Sequence, residues 1–68
     1  MPRKIRQLIA DLEKAGFAFS PGKGSHRKYR RGETTVVLAG HAGDDAKHYQ
    51  EKDVRRAIEA VQNQEDNP

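Results

Sequence analysis

Residues Lys23 to Arg31 read Lys-Gly-Ser-His-Arg-Lys-Tyr-Arg-Arg, which sets one imidazole, His26, among five cations in nine residues. Imidazole is the side chain best suited to moving protons near neutral pH. Ammonium and guanidinium groups are what a protein uses to hold phosphate. One base among phosphate-holding cations is the minimum equipment for cutting RNA, because the ribose 2′-hydroxyl then serves as nucleophile. The segment directly before, Pro21-Gly22-Lys23-Gly24, is a turn by composition. The backbone N–H groups of Gly22-Lys23-Gly24-Ser25 are suited to cradling a phosphate, although the spacing is not that of a nucleotide-binding P-loop. The competing readings are plainer: a hairpin turn that needs glycine, and an exposed strand histidine.

Other chemistries find less support. The chain has no cysteine, which excludes disulfides, thiolate zinc sites and a cysteine nucleophile. His41, Asp44, Asp45 and His48 match no metal-ligand spacing, so neither a metal nor another cofactor is expected. Nothing marks Ser25 as part of a serine–histidine–acid triad. Arg3, Lys4 and Arg6 read as a solvated face, and Asp44 and Asp45 as acids that tie the loop or hold a nearby cation.

These residues must be positioned by a small chain. Sixty-eight residues, 34% of them hydrophobic and none tryptophan, are expected to form one domain (1–64) with a thin core and a polar tail (65–68). Such a core supplies roughly 3–5 kcal/mol, so a partner that binds only the folded form would add to stability. No apolar run approaches a membrane span and no signal peptide is visible; a cytoplasmic protein without membrane contact is expected. The charge is uneven. Residues 1–34 carry nine Lys/Arg against three Asp/Glu, residues 35–68 four against seven, giving +6 and −3 within the net +3. A basic half points to a polyanion.

Ile5, Leu8, Ile9 and Leu12 form the apolar stripe of an amphipathic helix. The helix is expected to stop with Gly16 in the left-handed conformation and Phe17 folded back on Leu12. Phe17 to Ser20 reads as a short half-buried strand, Ser25 to Arg30 as a second, and Thr34 to Leu38 as a third. Val54, Ala57, Ile58 and Val61 stripe a second helix over about Gln50 to Gln64. The short connections favour an antiparallel meander, and both helices can bury their stripes only on one face of it. The expected fold class is therefore α+β, helix–three-stranded antiparallel sheet–helix. If Tyr29 packs inward, Arg27 and Ser25 share its side, while His26, Lys28 and Arg30 point together onto the open face.

An amphipathic helix ending in Gly16-Phe17, then a turn, then Gly24-Ser25-His26-Arg27-Lys28-Tyr29 on a strand, resembles the HicA family of toxins over about residues 3 to 62. The resemblance implies a fold similar to the double-stranded-RNA-binding domain, of order αβββα. It implies a toxin of a type II toxin–antitoxin system that cleaves mRNA independently of the ribosome and is held inactive by a HicB-type antitoxin. It assigns the active histidine to His26 and the glycine-serine lead-in to Gly24 and Ser25. Many members follow the third strand with Pro-His, where this chain has Leu38-Ala39-Gly40-His41, and no role passes to His41.

The reaction expected on this basis is metal-independent cleavage of single-stranded mRNA. His26 takes the 2′-hydroxyl proton, Lys28 and Arg30 hold the phosphate, and Lys23, Gly24, Ser25 and Arg27 complete the RNA surface. The general acid is open between Lys28 and a recycled His26. An antitoxin with acids over the Lys28/Arg30 face would neutralise that charge and bury His26. No DNA contact is expected from this chain alone. The alternative is a non-catalytic RNA-binding module. Such domains carry cations at the start of the last helix, whereas this one begins Gln50-Glu51-Lys52-Asp53.

Overall fold

The computed structural model describes residues 3–22, 24 and 26–65. The chain runs α1 (Ile5–Lys14), β1 (Ala18–Pro21), β2 (Arg27–Arg31), β3 (Thr34–Leu38) and α2 (His48–Glu65). The strands form an antiparallel sheet of order β1-β2-β3. No described helix is long and apolar enough to cross a membrane.

The two helical stripes meet the sheet on one side. Ile5, Leu8 and Leu12 of α1 and Val54, Ala57 and Val61 of α2 are buried in one cluster with Phe17, Tyr29, Val36 and Leu38. Along β2 the alternation is regular: Tyr29 is 3% exposed, Lys28 and Arg30 are exposed, and Arg27 and Arg31 are half-buried on the Tyr29 side. A buried Tyr29 fixes the register, since a slip of one residue would turn every side chain over.

Helix α1 ends as its sequence demands. Gly16 has φ 92°, the Gly16 N–H donates to Glu13 O at 3.0 Å and the Phe17 N–H to Leu12 O at 2.9 Å. These are the two bonds of a Schellman stop. Arg31 locks the same end, donating from Nη1 to Ala15 O at 2.7 Å, where a cation opposes the negative end of the helix dipole.

The start of α2 differs from the sequence expectation, at His48 rather than Gln50. Buried Gln50 accounts for this. Its Oε1 accepts from the Lys47 N–H (2.8 Å), and its Nε2 donates to Ala39 O (3.0 Å). The side chain thus caps the helix and ties it to the end of β3.

Candidate active site

β1 and β3 end, and β2 begins, at the same edge of the molecule. The hairpin residues beyond β1 and the loop beyond β3 there form the walls of a shallow cavity lined by Phe19, Gly22, His26, Arg27 and His41, among others. Phe19 pairs with Tyr29 and Pro21 with Arg27 across the strands. The cavity is therefore reached from the helix-bearing side of the sheet, past the end of the core. Phe19 is 56% exposed, and its ring leans on Tyr29 with centroids 5.6 Å apart at 52°. One face of it remains available to a flat partner.

The Gly22 backbone runs close beside that of His26. A Cβ on Gly22 would lie 2.9 Å from the His26 carbonyl oxygen and 3.3 Å from the His26 Cβ. Only a residue without a side chain permits this approach. Arg27 reaches from the cavity to the core, where burial pushes the Tyr29 phenol above its ordinary value and the Arg27 guanidinium opposes that shift.

His41 comes to the cavity on a loop that is tied at several points. The His41 N–H donates to Asp44 Oδ2 (3.0 Å), and the Asp44 N–H donates back to His41 O (3.0 Å). The loop is fastened in turn to the start of α1. Ile5 N–H donates to Asp44 O and Arg6 N–H to Ala42 O, both at 2.9 Å, and Ala46 N–H donates to Arg3 O at 2.6 Å. The first two of these bonds satisfy N–H groups that a helix start leaves without internal partners. Lys4 Nζ is paired with Asp45. Asp44 and Asp45 do what their sequence context suggests: one ties the loop and the other holds a lysine.

The structure brings three of the sequence-predicted site residues, Gly24, His26 and Arg27, to this cavity. Lys28 and Arg30 stand on the opposite, open face of the sheet, with Arg30 Nε donating to Gly32 O at 2.7 Å. β2 begins at Arg27, so strand alternation does not by itself put His26 on that face, and His26 is found among the residues lining the cavity. Lys23 and Ser25 lie outside the described residues. Phe19 and His41 are the additions that sequence reasoning did not place in the site. Among the described residues no group of three or more His, Cys, Asp or Glu is arranged to hold a metal ion. Arg3, of the basic N-terminal turn, is paired with Asp11 at 2.7 Å.

The αβββα domain thus gathers two histidines, an arginine and an exposed aromatic ring at one cavity, with further cations across the sheet. Residues 5–60 match the family model of the HicA toxin of bacterial toxin–antitoxin systems. The chain belongs to the HicA family. It is thus a toxin of a toxin–antitoxin system, which implies an antitoxin partner. No curated relative and no solved structure matches the chain.

Proposed function

We propose that this toxin is an endoribonuclease that cleaves mRNA independently of the ribosome, with His26 as the base that activates the 2′-hydroxyl. The observation that carries the reading is an exposed histidine, its backbone packed close beside Gly22, in a cavity that also offers a guanidinium and an aromatic ring. Each part has a use. Phe19 is suited to stacking on a splayed base, the usual way single-stranded RNA is held. Arg27 is placed to hold the phosphate under attack and to oppose charge that builds in the transition state. Lys28 and Arg30, exposed across the sheet, would hold flanking backbone and make binding salt-dependent.

The second reading is a binding module alone. The cation distribution speaks against it: α2 starts His48-Tyr49-Gln50-Glu51, without the basic first turn of a duplex-RNA reader. The two are separated by offering the purified protein single-stranded and duplex RNA in parallel. Shortening of the single strand is expected; retardation of the duplex without cleavage of either substrate would favour the binding module.

Gly22 gives a test of positioning. In Gly22→Ala the added Cβ meets the His26 backbone carbonyl, and His26 must move. A displacement on the order of 1 Å costs about 10²-fold in rate, with little loss of stability because the turn is exposed. Cleavage and thermal melting of the variant check this; an unchanged rate would show that the close contact does not position His26.

A HicB-type antitoxin that buries the cavity would stop the reaction by excluding RNA. Acids placed against Arg27, Lys28 and Arg30 would speed its association at low salt.

A further inference from the structure

We propose that His41 is the second acid–base group of this site, giving the leaving ribose 5′-oxygen its proton while His26 acts as base. The inference rests on the ribonuclease reading above and deepens it.

Two proton transfers are needed when a 2′-oxygen displaces a 5′-oxygen at phosphorus. In-line displacement puts those oxygens on opposite sides of the phosphorus atom. One imidazole cannot face both in a single step, so a second proton-bearing group must stand across the phosphate. Among the described residues lining the cavity, the ionisable side chains are His26, Arg27 and His41. Arginine keeps its proton in proteins and cannot serve as the acid. Lys28 stands on the other face of the sheet. That leaves His41.

Its placement fits the role. His26 comes from the hairpin wall of the cavity and His41 from the loop wall. The His41 backbone is clasped on both sides by Asp44, and the loop is bonded to the first turn of α1. The His41 side chain is exposed and is not part of the core. These bonds hold the His41 backbone at the rim of the cavity and leave its imidazole exposed.

The step balances as follows. His26 enters neutral and His41 protonated. The 2′-hydroxyl proton passes to His26, the 2′-oxygen forms a bond to phosphorus, and the bond from phosphorus to the 5′-oxygen breaks. His41 gives its proton to that oxygen. The products are a 2′,3′-cyclic phosphate and a 5′-hydroxyl, and solvent exchange returns both imidazoles to their starting states.

The test is a single-turnover comparison of wild type, His41→Ala, His41→Asn and His26→Ala on two single-stranded RNA oligonucleotides. One is unmodified; the other carries sulfur in place of the bridging 5′-oxygen at the cleaved linkage, so the leaving thiolate needs no proton. On unmodified RNA both His41 variants should be slower by about 10²- to 10⁴-fold. Most of that loss should vanish on the sulfur substrate, while His26→Ala stays slow on both. Wild-type rates for the His41 variants on unmodified RNA would overturn the assignment and leave His26 as base. An equal loss on both substrates would also overturn it, showing that His41 only supports the cavity. If the wild type cuts neither oligonucleotide, the ribonuclease reading fails and this inference with it.

Discussion

Cleavage of single-stranded RNA is expected to fall by at least about 10²- to 10⁴-fold in His26→Gln, the range that general-base catalysis supplies. RNA affinity should be nearly unchanged. Glutamine keeps the size and polarity of the side chain but cannot accept a proton near neutral pH. The imidazole is exposed at the mouth of the sheet, so the fold loses no core contact, and surface changes of this kind cost within about 0.5 kcal/mol. Arg27, Lys28 and Arg30 remain to hold phosphate. Cleavage rate and filter-binding affinity measured side by side check this, and a rate loss matched by an equal affinity loss would make His26 a binding residue.

Leu12→Ala is expected to leave the isolated chain largely unfolded at 25 °C. Leu12 is fully buried and belongs to the one core cluster shared by α1, α2 and the sheet. Truncating such a leucine costs about 2–5 kcal/mol, against the roughly 3–5 kcal/mol that a domain of this size draws from its core. A partner that binds only the folded chain adds about 2.7 kcal/mol at a hundredfold excess over its Kd. The same variant should therefore recover helical signal when its antitoxin is added. Circular dichroism melts with and without the partner test both statements, and a wild-type melt of the lone variant would contradict the account of the core.

Local patterning made most of the fold legible. The two stripes at helical spacing, the Gly16-Phe17 stop, and the β-branched run Thr34–Leu38 depend on neighbours a few residues away, and each is found where the sequence puts it. The family was legible for the same reason, because Gly24 to Tyr29 is a contiguous segment. Features that depend on contacts distant in sequence were not. Gln50, which caps α2 at Lys47, is buried because it also reaches Ala39, eleven residues back. The loop after β3 is ordered by the first turn of α1, more than thirty residues away. Phe19 reads as half-buried by alternation, yet on an edge strand past the end of the core it is mostly exposed.

The site was legible in part for the same reason. His26 and Arg27 stood out by type and spacing, but the grouping of His26 with Lys28 and Arg30 assumed a strand that began at Ser25. His41 drew no role because the residues before it depart from the family's Pro-His pattern, and only the folded chain brings it to the cavity that His26 also lines. The one local hint was Asp44, three residues on, placed to clasp the His41 backbone.

The most direct measurement is the chemistry of the ends left when the purified, antitoxin-free protein meets single-stranded RNA in EDTA, beside a His26→Ala control. Wild-type fragments ending in 2′,3′-cyclic phosphate and beginning with 5′-hydroxyl, absent from the control, are the expected result. Fragments with 3′-hydroxyl and 5′-phosphate ends, or cleavage that persists in the control, would contradict a 2′-hydroxyl attack begun by His26.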